Sequence, residues 1–585
     1  MSTPPLSPPV APAFDATGVP IATLDAGRAA KLARKADILG QTHDEAVESA
    51  QADGRTRQDS LLVMVPIRSG MEPSLRALLA GIANPPGGDL EINPVIPFLE
   101  LKTVHFARIL IHDASPSPAA PIPTWRGKPQ AHGPAIPAKL LFSTDFDGYL
   151  DAHLDELIRV AGEGLDRIFS HCEGWPSRGH QDRAAVHGFF LRNRLASNTF
   201  YTGSMGRSVD QIRREARLHE RIEDYLDRAR REGKLPADPA AARAQVRDWV
   251  FSQEDLKWAR ERPGPFPKPL VPASLQPKLP WILGAAALVV LAALYGVLQL
   301  FLPAGAALGI VVGGVAVLGA AGFAAWRFLR HLEETDPVII GNVTDHTRRL
   351  ERYEDHIVQN QMSSVIYIKE PLWFRRSVLW AVLAFINLSA KYLSNTGTLA
   401  GIPSIHFARW VIVDEGRRLV FFSNFDGSWE NYLGDFIDKA AGGLTGVWSN
   451  CVGFPRTAGL VGEGARDEQK FKQYSRQSQI PTQVWYSAYR WLSVPNVNNN
   501  SKIRIGLHGD MGAEEATAWL RRFSGPAERT EPAGEKPASL APPPAAAPEL
   551  DDIQGLVARS YKTLKHGEYV LVGFADGAGA RRWLS

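Results

Sequence analysis

The sequence predicts an α+β protein in which two ferredoxin-like (βαββαβ) repeats flank a two-helix transmembrane hairpin. Three observations predict it. Two uncharged runs, Trp281 to Leu302 and Ala304 to Trp326, stand side by side around Pro303. The stretches before and after them repeat one another. Each repeat shows the same alternation of apolar strand patterns and amphipathic helix patterns.

Composition bounds the rest. A chain of 585 residues is too long for one domain. With 65 Lys+Arg against 62 Asp+Glu, the formal net charge of +3 gives no global signal for nucleic acid, and none is expected as a partner. The only cysteines, Cys172 and Cys451, exclude a disulfide scaffold and a zinc motif.

Taken in order, residues 1–58 read as a disordered tail. Its opening is rich in Pro, Ala and Thr, without the basic start and apolar run of a secretory signal peptide. Residues 59–250 form the first repeat and 251–279 a basic linker. Residues 280–327 make the hairpin. Each uncharged run is long enough for a hydrocarbon core of ~30 Å, which takes about 20 helical residues. Soluble helices of that length carry a polar face, and these carry none. Lys257, Arg260, Arg262, Lys268 and Lys278 precede the first run; Arg327, Arg330 and His331 follow the second. Positive charge stays on the cytoplasmic side, so both soluble halves are expected there. The chain is thus read as a multi-pass protein of a bacterial-type inner membrane, with the lipid bilayer as partner. The second run is Gly-rich, and its glycines (among them Gly309, Gly313, Gly314, Gly319 and Gly322) permit close helix packing or are simply tolerated there.

The second repeat spans 355–512. Val104 to Asp113 (VHFARILIHD) matches Ile405 to Asp414 (IHFARWVIVD). Asp145 to Pro176 matches Asn424 to Pro455 without a gap, at a constant offset of 279 residues. ALLAGI (77–82) matches AVLAFI (381–386), and NTFYTG (198–203) matches QVWYSA (483–488). The order of elements in each copy gives an antiparallel sheet with helices on one face. Copy one adds a Pro-rich insert from Ser115 where copy two turns tightly at Gly416.

Four candidate site residues occupy equivalent places: His105 and Arg108, His406 and Arg409. Residues i and i+3 of a strand face opposite ways, so one of each pair should reach an open face of the sheet. That makes a ligand platform. The structural alternative, a hydrogen-bonded histidine at a strand start, has residue statistics on its side. Asp145-Phe146-Asp147-Gly148 and Asn424-Phe425-Asp426-Gly427 have the look of metal ligands, but lack the spacing of a calcium loop. They read better as helix caps with a positive-φ glycine. Cys172 and Cys451 read as buried apolar thiols. Leu372 to Leu393 is more hydrophobic than a domain helix needs and is read as carrying a membrane-facing stripe of Trp373, Phe374 and Trp380. Val209 to Arg231 reads as a solvated charged helix.

Residues 513–549 are a Pro/Ala-rich linker. Beyond it, LDDIQG (550–555), Arg559-x-Tyr561, the strand YVLVGF and the run into ARRWL resemble the opening of a dye-decolourising (Dyp-type) haem peroxidase domain. The resemblance covers Leu550 to Ser585. It implies peroxide reduction at a haem iron held by a histidine further on, so no site residue is carried over. A domain begun at Leu550 is expected to continue downstream or in a partner. Three functions are compatible with these features. The chain is an anchor and α+β platform of a haem peroxidase system. Or it is a non-catalytic lipid- or protein-binding module at the cytoplasmic membrane face. Or the repeats themselves bind haem through His105 or His406.

Overall fold

The computed structural model of the chain describes residues 56–523 apart from 85–89, 115–135, 265–270, 273, 337, 339–343, 393–398 and 400. Two short paired strands, Ala558–Ser560 and Val570–Val572, are also described. The tail, most of the Pro-rich insert and nearly all of the peroxidase-like segment lie outside the described residues.

Repeat one contains β1 (Gln58–Pro66), α1 (Glu72–Ala83), β2 (Val104–His112), β3 (Lys139–Asp147), α2 (Leu150–Phe169), α3 (Arg183–Asn193) and β4 (Thr199–Thr202). Helices α4 (Val209–Arg231) and α5 (Pro239–Ser252) follow. The apolar hairpin is α6 (Leu279–Gln299) and α7 (Ala304–Thr335). After α8 (Thr344–Glu351), repeat two contains β5 (Gln359–Tyr367), α9 (Leu372–Tyr392), β6 (Ile405–Val413), β7 (Arg418–Asp426) and α10 (Trp429–Trp448). A small hairpin of β8 (Thr457–Ala458) and β9 (Gly462–Glu463) comes next. Then come α11 (Glu468–Ser478), β10 (Val484–Ser487), α12 (Val494–Ile505) and α13 (Ala513–Leu520).

The strands are apolar on both faces, and both faces are covered. In sheet one, Leu61, Val63, Val65, Ile109 and Phe142 pack beneath α1, α2 and α3. The alternate residues Leu62, Met64, Leu110 and Leu141 meet Val411, Val413, Val420 and Phe422 of sheet two. The two sheets therefore stack face to face, with helices outside. This four-layer arrangement corrects the expectation of an open sheet face. Side chains of both parities are buried, because the second repeat covers what a single repeat would leave exposed.

The expected α+β character and antiparallel pairing are present, but the fourth strand is not where a self-contained βαββαβ unit would place it. Sheet one has the order β1-β3-β2-β10 and sheet two the order β5-β7-β6-β4. The last strand of each repeat pairs with the second strand of the other. Val484 to Ser487 runs antiparallel to Phe106 to Ile109, and Thr199 to Thr202 to Phe407 to Trp410. The route is visible in repeat one. After α3 the Leu195 amide donates to the Leu62 carbonyl at 2.8 Å. The chain then crosses, and the Asn198 amide donates to Trp410 of sheet two at 2.9 Å. The Asn198 side chain accepts from Ile412 N, and Gln483 accepts from Ile111 N in the reciprocal place, each at 2.8 Å. The cores are mixed accordingly. Tyr486 and Val484 pack in core one, and Tyr201 in core two.

Helix α4 is not a solvated helix. Leu218, Ile222 and Leu226 bury themselves with Val246 and Val250 of α5, with Ile503 of α12 and with Trp519 of α13. The expected 513–549 linker accordingly opens with a packed helix. A sparse apolar stripe among the charges of α4 suffices to dock a helix when the facing elements are apolar.

The exchange makes one repeat's strand part of the other's stability. A Cβ at Gly203, just past β4, would lie 2.0 Å from the Ile405 carbonyl oxygen. Gly203→Val is therefore expected to destabilise the protein by more than about 3 kcal/mol, as overpacking against backbone does. Hydrogen exchange should show protection lost in β6 and β7, in the repeat that was not mutated. Loss confined to residues 56–261 would show that the repeats are separate folding units.

Candidate functional site

The four candidate residues converge where the two repeats meet. Arg108, on β2, points between the sheets and is buried. Its guanidinium donates to Met362 O (2.9 Å), Ser363 Oγ (2.8 Å), Ser423 O (3.0 Å) and Asn424 Oδ1, all in sheet two. Arg409 does the reverse. It donates to Leu61 O (2.9 Å), Thr144 O (3.1 Å) and the Asp145 carboxylate of sheet one. Asn424 and Asp145 are equivalent residues and bond to each other, Asn424 Nδ2 donating to Asp145 Oδ2 at 3.1 Å. This centre of the buried layer thus sets two guanidiniums against one carboxylate, and nearer the edge Lys139 of sheet one pairs with Asp414 of repeat two at 2.8 Å. Burial pushes Arg108 down to about 9 despite the attraction of Asp145, with Arg409 adding to the fall.

The histidines form a second pair of contacts. His105 Nε2 meets Asp147 Oδ1 at 2.9 Å, and its Nδ1 meets the Tyr489 hydroxyl of repeat two at 2.9 Å. His406 Nε2 meets Asp426 Oδ1 at 2.7 Å. The second oxygen of each aspartate accepts a backbone amide at the start of the helix after the exchanged strand: Val209 N for Asp147 and Val494 N for Asp426, both at 2.8 Å. Burial raises the Asp426 carboxyl, with His406 pulling against it. Burial, reinforced by Asp147, Asp145 and Asp426, raises the Tyr489 phenol well above its ordinary value. Tyr489 has no counterpart in repeat one, where Ser204 stands. His406 Nδ1 and Ser204 Oγ accordingly remain buried without a protein partner.

These aspartates do cap helices, but different ones from those expected. The helices directly after Gly148 and Gly427 begin at Tyr149, which makes no side-chain cap, and at Ser428, which caps with its own hydroxyl. Asp147 and Asp426 instead hold α4 and α12, which the sequence places tens of residues away. Gly148 and Gly427 do adopt positive φ, 91° and 85°. Asp145 caps nothing and serves Arg409. Sequence reasoning misses two functional residues, Tyr489 and Glu333. Only the exchange reveals Tyr489's partners, and no repeat residue marks Glu333.

The arrangement fits structural pairing. His105 and His406 are buried, and both nitrogens of His105 are engaged. Phe106, Phe407 and Tyr489 pack tilted or edge-on around the two imidazoles at centroid distances of 5.2 to 5.8 Å. These residues do not fit haem, because aromatic rings fill the space a porphyrin face would need. Among the described residues, no group of three or more His, Cys, Asp or Glu is placed to hold a metal. Cys172 and Cys451 are buried, and burial pushes each thiol up to about 12, as inert packing groups require.

The other feature with functional bearing is the junction of the hairpin with repeat two. Helices α6 and α7 are long and apolar enough to cross a membrane, and their most apolar stretches are almost wholly unburied. Helix α7 runs without a break past its apolar part and docks. Leu329 and Leu332 pack with Phe374, Phe328, Val378 and Leu460. The Glu333 carboxylate accepts from Thr457 Oγ1 (2.9 Å), Gly459 N (2.8 Å), Leu460 N (2.7 Å) and Arg330 (2.7 Å). Asp336 pairs with Lys369 at 3.0 Å and with the buried Arg375. Phe374, expected to face the membrane, is buried in this contact because its helix packs that side onto α7.

Fold and site define an interlocked duplication with an apolar helical hairpin inserted between its halves. Comparison with family models, curated proteins and solved structures finds no match for the chain.

Two substitutions test this account. Asp145→Asn leaves Arg409 buried without its counter-charge and should cost about 3–5 kcal/mol, read by denaturant unfolding of the detergent-solubilised chain. His153 on α2 lies flat on Phe146 at 3.8 Å, bonded to Thr144 Oγ1 at 2.8 Å. Burial pushes its imidazole down to about 3. The folded state keeps this ring neutral while the unfolded chain protonates it below pH ~6.5, so folding binds fewer protons and stability falls as pH drops. The loss from this residue between pH 6.5 and pH 5 is about 2 kcal/mol. Repeat two carries Tyr432 here, stacked on Phe425 and bonded to Ser423. His153→Tyr should therefore fold and flatten the acid side of the stability profile. An unchanged slope would show that His153 is not held neutral.

Proposed function

We propose that this chain is a membrane-anchored, non-catalytic platform: a rigid two-repeat body held by its apolar hairpin against the cytoplasmic face of a bacterial-type inner membrane. The observation that carries this reading is the unbroken passage of α7 from its uncharged span into the clamp around Glu333 and Asp336. A flexible tether would not need three donors from repeat two, Thr457 Oγ1, Gly459 N and Leu460 N, on one carboxylate. The basic residues on both flanks of the hairpin support the cytoplasmic orientation, and with it the two-pass topology. The burial of every candidate site residue supports a structural role for the repeats.

A second reading has its own support. The LDDIQG segment and the residues after it resemble a Dyp-type peroxidase opening, which favours a platform that serves haem-dependent peroxide reduction. In that version the chemistry belongs to sequence from Leu550 onward or to a partner, and the shared order of elements in the repeats is an analogy of fold that carries no function.

The experiment is fractionation followed by a spectrum. The full chain, expressed with haem supplied, should stay with membranes through an alkaline carbonate wash and need detergent for release. Once purified, it should show no Soret band that depends on His105 or His406. Release by carbonate would overturn the anchor. A stoichiometric band lost in His406→Ala would overturn the non-catalytic reading of the repeats.

A further inference from the structure

The two copies of one helix have diverged in a way the fold does not demand. Helix α1 in repeat one and α9 in repeat two occupy equivalent places. Leu75, Leu79 and Ile82 of α1 are buried, and so, at a constant offset, are Leu379 and Leu383 of α9, with Ile386 packed partly against the same core. Their outer faces differ. Where α1 carries Arg76 and Gly81, α9 carries Trp380 and Phe385. The outer stripe of α9 is Trp373, Trp380, Phe385 and Leu388, spaced to fall on one side. Phe385 is 68 % and Trp373 65 % exposed. No ionisable residue occurs from Ser377 to Ala390. A helix that is uncharged over this length, with only Ser377, Asn387 and Ser389 polar, and that presents large apolar side chains on the side it does not bury, calls for a second apolar medium.

Both ends of α9 are tied to the hairpin. At its start, Trp373 stacks on Phe328 at 6.3 Å, two residues beyond Trp326, where the uncharged part of α7 ends. Two residues of helix advance about 3 Å, so Trp373 stands level with the end of the span. At the other end the Tyr392 carbonyl accepts from Val271 N at 3.3 Å. From Val271 the chain passes through a 3-10 turn (Gln276–Lys278) directly into α6. A helix pinned at both ends to the segments entering a membrane lies along that membrane's surface.

We propose that α9 is an in-plane membrane helix whose stripe of Trp373, Trp380, Phe385 and Leu388 sits between the headgroups and upper acyl chains of the leaflet from which α6 and α7 emerge. The proposal rests on the chain being membrane-anchored and deepens that reading, since it fixes which side of the body faces lipid. The tryptophans suit the headgroup layer, and the apolar residues between them suit the acyl boundary. The occupant is lipid rather than protein because the stripe is continuous with the hairpin and level with its end.

The test uses the full chain in proteoliposomes. Native thiols do not compete for label, because Cys172 and Cys451 are buried. Single variants Phe385→Cys and Leu388→Cys carry an environment-sensitive fluorophore. Leu288→Cys in the span and Glu514→Cys on the exposed face of α13 serve as references. We expect iodide quenching at 385 and 388 several-fold weaker than at 514, with strong quenching by lipids nitroxide-labelled near the headgroup. At 288, lipids labelled deep in the chain should quench best. Iodide quenching at 385 and 388 equal to that at 514, with 288 still lipid-quenched, would overturn the proposal and leave the anchor standing. Protection from iodide without lipid quenching would overturn it in favour of a protein covering the stripe. Absence of lipid quenching at 288 would overturn the anchoring reading itself.

Discussion

The unpaired edge of β2, and its twin on β6, is the constraint on which the rest of this structure depends. A strand edge leaves a row of amides and carbonyls that must be paired or solvated. Each repeat supplies three long strands and closes its sheet with a short fourth strand from the other repeat. Neither half then has a complete sheet alone. Once the strands are exchanged, the sheets stack, and the layer between them closes around Arg108, Arg409 and Asp145. The polar network is a consequence of the exchange.

Duplication set this architecture up, and divergence has broken its symmetry at chosen places. Two carboxylates in the buried layer would face each other at the position where Asn424 now donates to Asp145. One amide removes that repulsion while leaving both guanidiniums served. Tyr489 stands where repeat one has Ser204, giving His105 a hydroxyl partner that His406 lacks. The third departure lies outside the core, where Arg76 and Gly81 give way to Trp380 and Phe385. The first two adjust packing. The third changes what the surface can touch.

Much of this is legible in the sequence. The strands, the long helices, the hairpin and the equivalence of the repeats follow from apolar periodicity and from matched segments. The exchange is not legible, because NTFYTG and QVWYSA carry the same pattern whichever β-sheet they join. Most of the other differences descend from that one. Without the exchange, Arg108 and Arg409 belong at an open face, and Asp147 and Asp426 belong at the nearest helix. Helix α4 reads as solvated because its charges outnumber its apolar residues and its packing partners lie in the far repeat. The buried thiols are legible, because burial at a helix end needs only local pattern. The inward side of Phe374 is not, because the docking of α7 leaves no periodic trace.

The interlocking of the repeats is tested most directly by cutting the chain between them. A specific protease site placed within 265–270, cleaved on proteoliposomes, severs repeat one from the hairpin and repeat two. Repeat one should stay with the membrane pellet through high salt and be released only when urea unfolds the sheets. Release of folded repeat one into the supernatant after cleavage would contradict the interlocking.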